Sequence, residues 1–132
     1  MTDCNSLSEI RVIAMISKGY VNPAQTLAAC ENLSIAYLSG NRPSMEDLLF
    51  LSRMARLQKL DLSFCFIRSL PTGEAFTGLT SLAFFFLHNN DISQWNDLLS
   101  LTQLPAVEHL TLHNNPVTTI PGYRHFMVNS AP

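Results

Sequence analysis

The sequence predicts a single α/β domain assembled from repeated units, and three observations predict it. An apolar motif recurs four times in register, its closing positions lie 24, 25 and 25 residues apart, and the segments between the copies are helical or turn-like in pattern. A fixed period of this size indicates an array of units, because each unit buries its apolar face against its neighbours. A length of 132 residues is enough for one such core.

Each copy of the motif is an alternating apolar segment that closes on asparagine or cysteine. Residues 82–92 and 107–117 match each other best, since both contain Leu-His-Asn-Asn, and earlier copies occupy 57–67 and 33–41. The closing residues are Asn41, Cys65, Asn90 and Asn115. A weaker copy opens the chain, with Ile10, Ile13 and Met15 at the apolar positions and Lys18 at the closing position.

The connecting segments differ in their predicted structure. Residues 45–54 have helical periodicity, and Ser44 is a suitable N-cap. Residues 95–104 have the same periodicity and end before Pro105. The segment 71–79 is richer in glycine and threonine, so we expect a short or irregular turn there.

These motifs resemble the leucine-rich repeats, whose pattern L-x-x-L-x-L-x-x-N/C-x-L recurs every ~20–29 residues. The resemblance covers residues 10–132. It implies a right-handed leucine-rich-repeat solenoid with a short parallel β-sheet on the concave face and helices or irregular turns on the convex face. It divides the single domain, 1–132, into a tail (1–9), a degenerate repeat (10–32), three repeats (33–56, 57–81 and 82–106) and a last repeat with a partial C-terminal cap (107–132).

The closing residues have structural roles in such repeats. Asn41, Asn90 and Asn115 are expected to bond backbone groups that are left unpaired where the chain leaves the strand. Cys65 fills the cysteine alternative of the pattern. We expect it to be a buried structural thiol rather than a reactive one.

The C-terminal segment narrows the resemblance. Asn115-Pro116 followed by Tyr123-Arg124 is similar to the cap of intracellular leucine-rich-repeat proteins, among them a phosphatase regulatory subunit, an axonemal dynein light chain and a spliceosomal ribonucleoprotein subunit. In that group the segment turns into a helix that closes the core. The further apolar segment of the group and an amphipathic N-terminal cap are both missing here, so we expect a larger protein or a partner that covers the solenoid ends.

The outward face of the sheet carries the predicted partner-binding residues. Since Phe85 and Leu87 fill core positions, strand alternation points Phe84 and Phe86 outward. Neighbouring exposed aromatic rings are typical of the centre of a binding patch, unless a terminus or loop of the same chain covers them. Ser39 and Ser63 fall in outward positions too. The predicted binding set is Phe84, Phe86, Tyr37, Phe64, His88, His113, Lys59, Asp61, His109 and Thr111.

The histidines raise the question of a metal site. His88 and His113 occupy the same position in adjacent repeats, and His109 lies close by. No acidic residue or cysteine obviously completes a zinc site with them, and the repeated Leu-His-Asn-Asn block already accounts for two of them. We therefore expect no metal, and a face that is sensitive to pH near about 6–7.

Composition excludes several classes of function. A net charge of −2 with scattered basic residues argues against direct nucleic-acid binding, and no apolar run approaches the ~20 residues of a membrane-spanning helix. Three cysteines without a visible secretory signal favour the cytoplasm. Motifs for phosphate loops, dinucleotides, zinc proteases and C-x-x-C sites do not occur in the sequence. No cofactor is expected.

The sequence therefore predicts a non-enzymatic protein–protein interaction module or scaffold subunit that binds a partner on its concave face. By resemblance, a cytoskeletal or ciliary assembly is the favoured setting. Three alternatives remain open: a regulatory fragment of a larger signalling protein similar to the phosphatase regulator, a spliceosomal-type subunit that meets RNA through another protein, and a surface or secreted repeat protein.

Overall fold

The computed structural model describes residues 11–14, 30, 32–72 and 74–123. Within these ranges five short strands form one parallel sheet in chain order. The strands are β1 (Val12–Ala14), β2 (Ile35–Tyr37), β3 (Lys59–Asp61), β4 (Phe84–Phe86) and β5 (His109–Thr111). The predicted α/β solenoid with a short parallel sheet is confirmed.

Neighbouring strands pair without a shift, so each position of the repeat forms a row across the sheet. The central row joins Ile13, Ala36, Leu60, Phe85 and Leu110. Its members from β2 to β4 are buried in the core. Ile13 occupies the apolar position predicted for the degenerate repeat, whereas Ile10, Met15 and Lys18 lie outside the described residues.

The connecting segments follow the predicted pattern with shorter helices. Helix α1 (Met45–Leu51) begins with a capping box in which the Ser44 hydroxyl accepts from the Asp47 N–H and the Asp47 carboxylate accepts from the Ser44 N–H. Helix α2 spans Trp95–Leu101. The described residues of the segment 71–79, which are 71–72 and 74–79, contain a 3-10 turn, Ala75–Gly78, and no helix longer than this, as expected for that segment. In the described part of the chain, none of the helices has the length and apolarity needed to cross a membrane.

The core is a stack of equivalent leucines. Leu33, Leu57 and Leu82 fill the first position of three successive repeats and are fully buried. From the convex side, Phe76 packs edge-to-face on Phe85 with ring centroids 5.9 Å apart. Full burial of one such side chain contributes about 1.5–3 kcal/mol, so this stack drives the assembly of the solenoid.

Buried asparagines join each of the last two repeats to the repeat before it. The Asn90 Oδ1 accepts from the N–H groups of Cys65 and Ile67 at 2.8 and 3.0 Å, and its Nδ2 donates to the carbonyls of Leu62 and Leu87. Asn115 repeats the arrangement: its Oδ1 accepts from the Ile92 N–H, and its Nδ2 donates to Leu87 and Leu112. Asn41 donates to the Leu38 carbonyl at 2.8 Å.

Cys65 reproduces half of this arrangement. Its thiol lies 3.2 Å from the Leu38 carbonyl, the group that corresponds to the acceptors of Asn90 and Asn115 in their preceding repeats. Unlike asparagine, it has no oxygen that could accept a hydrogen bond from a backbone N–H. In the preceding repeat, the residue equivalent to Ile67 is Pro43, which has no N–H and needs no such acceptor. Burial raises the pKa of the Cys65 thiol to about 11, which keeps it protonated as a donor at neutral pH.

Candidate interaction surface on the sheet

The outward face of β4 presents two phenylalanines, as strand alternation requires. Phe85 is 1 % exposed, whereas its neighbour Phe84 is 37 % exposed and Phe86 is half-buried. Phe84 is therefore partly open to solvent, and the described residues do not close over this part of the face. His109, beside Phe84 on β5, stacks on its ring with centroids 4.7 Å apart.

Lys59 lies among three of the predicted aromatic residues. Its Nζ is 5.4 Å from the ring centroid of Tyr37, 5.8 Å from that of Phe84 and 5.5 Å from that of Phe86. These distances fall within the ~6 Å range of cation–π attraction. Tyr37, Phe86 and Lys59 are each half-buried, because they cover one another across adjacent strands.

Asp61 faces outward between Tyr37 and Phe86, but its carboxylate is hydrogen-bonded to Ser63, just after the end of the same strand. Its Oδ1 accepts from the backbone N–H of Ser63 at 3.0 Å and from the Ser63 hydroxyl at 2.7 Å. The Ser63 and Ser39 hydroxyls are 3.1 Å apart. Ser63 lies on the outward face, as its position in the repeat predicts, but it is not exposed: its polar contacts with Asp61 and Ser39 hold it against the sheet, and 3 % of its surface is accessible.

The histidines form a stack on the same face. The rings of His88 and His113 lie 4.6 Å apart and nearly parallel, and His88 Nδ1 is 2.8 Å from the Thr111 hydroxyl. Burial, and secondarily the charge of His113, lowers the pKa of His88, while the nearby Asp61 opposes the shift. Among the described residues, no group of three or more His, Cys, Asp or Glu side chains is placed to hold a metal ion.

Phe64 and Phe66 extend the aromatic surface past the end of β3. They are 53 % and 56 % exposed, and their φ angles of 56° and 58° lie in the left-handed region that bulky residues avoid. The equivalents of Phe64 in the other repeats are Gly40, Asn89 and Asn114, residue types that tolerate this conformation. Each strained phenylalanine costs about 1–3 kcal/mol.

Phe66 is the residue that sequence reasoning missed. It follows the closing position, where strand alternation no longer predicts which face a side chain occupies. The Arg42 guanidinium lies over its ring, with Cζ 4.1 Å from the ring centroid. With Phe64 and the segment 89–91 it lines a cleft of about 180 Å³. One signal was available in the sequence: the equivalent residues in other repeats, Arg42, Asp91 and Pro116, are not aromatic.

The rings form one continuous surface, which we call the aromatic strip. His88 links its two halves, since its ring lies 6.3 Å from Phe86 and 5.9 Å from Phe64. The aromatic strip consists of Tyr37, Phe84, Phe86, His88, Phe64 and Phe66. It contains five of the predicted binding residues as rings, with Lys59 at its centre, while Thr111, His109 and His113 line its β5 side.

A leucine-rich-repeat family model matches residues 55–117, which include the last three complete motif copies. The chain is a leucine-rich-repeat protein. Repeats of this kind are generally non-enzymatic modules that bind other proteins, often on an extended concave surface. The cap helix expected after Tyr123 falls outside the described residues.

Individual relatives support the same family. The chain is 32 % identical over 111 residues to Homo sapiens leucine-rich repeat and IQ domain-containing protein 3, covering 84 % of this chain and 18 % of that one. It is 30 % identical over 90 residues to Danio rerio tubulin-specific chaperone E, covering 64 % and 17 %. It is 33 % identical over 73 residues to Bos taurus leucine-rich repeat-containing protein 51, covering 55 % and 37 %. The chain thus spans less than a fifth of the length of the first of these relatives.

The fold is shared with a solved structure. A chain in the crystal structure of the Drosophila melanogaster SNF/U2A′ complex superimposes with a TM-score of 0.70 at 23 % sequence identity. The match covers 97 % of this chain and 71 % of the other. At this identity the likeness establishes the leucine-rich-repeat fold.

Proposed function

We propose that this chain binds a segment of a partner protein along the aromatic strip on the concave face of its sheet. The observation that supports the proposal is the exposure of Phe84, Phe64 and Phe66 on one continuous surface. None of these rings belongs to the buried core. Contiguous apolar surface that is rimmed by polar groups is typical of an interaction site.

Backbone strain adds a second line of support. Asparagine at position 64 would relieve the left-handed strain, as it does at Asn89 and Asn114. A phenylalanine held there costs stability and returns little packing, since more than half of its surface is exposed. Strain of this kind concentrates where function requires a particular side chain in a particular place.

The remaining predicted residues provide the polar groups of the site. Lys59 and Asp61 lie between the rings, and His88, His109, His113 and Thr111 lie on the β5 side. A site of this composition combines apolar rings with polar groups that set orientation and specificity.

We further propose a cytoplasmic setting in a cytoskeletal or ciliary assembly, as a scaffold subunit without catalytic activity. The similarity of the C-terminal motif to intracellular leucine-rich-repeat proteins supports this setting. The name of one relative, tubulin-specific chaperone E, is consistent with a cytoskeletal association.

Affinity isolation from cells that naturally produce the protein tests the site. The Phe84→Ala/Phe86→Ala variant is expected to lose the main partner that the wild type retains. The matched control is Leu49→Ala/Leu99→Ala, which truncates two exposed leucines on the convex helices, and circular dichroism checks that all three chains fold. Equal partner recovery by wild type and Phe84→Ala/Phe86→Ala, or a loss confined to the control, contradicts the proposal.

A further inference from the structure

We propose that the segment bound by the aromatic strip is acidic, and that an Asp or Glu carboxylate of the partner pairs with Lys59. The inference rests on the proposed function and names the chemistry of the partner at that same site.

Lys59 has no ion-pair partner among the described residues. Its Nζ lies among the rings of Tyr37, Phe84 and Phe86 at 5.4–5.8 Å from their centroids. The rings attract the ammonium without supplying a full negative charge. A carboxylate brought there by a partner meets a cation that is already held in position, which lowers the cost of ordering it and favours the pairing.

The face has one carboxylate among the outward side chains of β2 to β5, that of Asp61, and it is not paired with Lys59. Its Oδ1 is directed to the end of its own strand, where it accepts two hydrogen bonds from Ser63. Charge complementarity therefore favours an anionic partner over a cationic one, which would meet Lys59 at like charge.

The cations at the site are too few for a nucleic acid. Binding to a phosphate backbone draws on several cations at once, and its strength follows their number. Lys59 is the one Lys or Arg on the outward faces of β2 to β5, where it is surrounded by apolar rings, and Arg42 lies over the Phe66 ring at the other end of the aromatic strip. This arrangement fits a carboxylate beside an aromatic or aliphatic side chain, the combination that a polypeptide provides.

Selection from a phage-displayed library of random peptides tests the inference. Each peptide has about 12 residues, a length that spans the aromatic strip in extended form. The probes are the library itself and then fluorescein-labelled synthetic copies of the enriched peptides. Wild-type protein is expected to enrich peptides that carry Asp or Glu next to an aromatic or aliphatic residue. Lys59→Met is expected to weaken their binding about tenfold, and Lys59→Arg to preserve most of it.

A double-mutant cycle shows whether the carboxylate and Lys59 meet. Neutralising the peptide, Asp to Asn or Glu to Gln, is expected to weaken binding to the wild type about tenfold and to leave binding to Lys59→Met nearly unchanged. Arg53→Met, which removes an exposed cation at the end of the connecting helix α1, is the matched control and is expected to have little effect. Equal losses for Lys59→Met and Arg53→Met, or independent effects of the peptide and protein changes, overturn the inference.

The outcomes separate this inference from the proposed function. Enriched peptides that lack acidic residues but lose binding with Phe84→Ala/Phe86→Ala overturn the acidic partner and leave the site in place. Peptides that bind Phe84→Ala/Phe86→Ala and Lys59→Met as well as the wild type overturn both. A library without any binder that depends on these residues overturns the inference of a short acidic segment.

Discussion

The turns after β3, β4 and β5 occupy the same place in the repeat, but the turns after β4 and β5 stabilise the fold, whereas the turn after β3 exposes aromatic rings. After β4 and β5, asparagines fill both the left-handed position and the closing position, and the closing amides bond buried backbone groups on two repeats. After β3, the corresponding residues are Phe64 and Cys65, followed by a second strained phenylalanine, Phe66. Two turns thus favour stability, and one exposes aromatic rings at a cost in stability.

The largest expected effect comes from removing the asparagine of a stable turn. Asn90→Ala leaves the buried N–H groups of Cys65 and Ile67 and the Leu62 carbonyl without the partner that Asn90 provides, at about 1–3 kcal/mol each. We expect a loss of about 3–5 kcal/mol in the free energy of unfolding, measured with urea. Cys65→Ala, which removes weaker thiol bonds, is expected to cost clearly less. Equal losses for the two variants contradict the difference drawn between the turns.

A smaller change in stability is expected from the coupled positions Cys65 and Pro43. Pro43→Ala creates a backbone N–H for which Cys65 has no acceptor oxygen. Cys65→Asn supplies that oxygen, as Asn90 does for the N–H of Ile67. We expect the double variant to be more stable than the sum of the single changes by about 1–2 kcal/mol. Urea unfolding of the four chains measures this coupling. Strictly additive changes in the free energy of unfolding would show that the two positions are not coupled.

Phe64→Asn brings the strained turn closer to the stable ones. Asparagine adopts the left-handed conformation more readily, so we expect a gain of about 1 kcal/mol in the free energy of unfolding. Partner binding is expected to weaken, because a ring of the aromatic strip is lost. Phe64→Leu, which retains a bulky side chain, is the control and is expected to show no gain. A less stable Phe64→Asn chain removes the argument from strain.

The smallest expected effect is the pH dependence contributed by His88, in the turn after β4. Because burial lowers its pKa below the ordinary 6.5, the unfolded chain binds this proton more readily than the folded chain. The contribution to stability is therefore fully present above pH 6.5 and is lost as the pH falls through that value and below it. Urea unfolding at pH about 7.5 and about 5.5 is expected to show a steeper loss for wild type than for His88→Gln. If the stability of both chains depends on pH in the same way, His88 is not the source of this pH dependence.

The sequence predicted the strand and core positions because they follow from local alternation. A slip of one residue would move Phe85 out of the core and Phe84 into it, so the register follows from the apolar pattern itself. The helix start at Ser44 was equally local, since the capping box needs only residues three apart. Predictions of this kind fail where the chain leaves regular structure, as Phe66 shows.

By itself, the sequence determined the repeat period, the α/β solenoid and the outward placement of Phe84 and Phe86, since each depends on spacing along the chain. Only the tertiary structure decided that Lys59 lies among three rings, that Ser63 is buried and that Phe66 joins the aromatic strip. The physical reason is that a long side chain, a hydroxyl and a left-handed turn take their conformations from neighbours in adjacent repeats. Those neighbours lie beside them only after the sheet has formed.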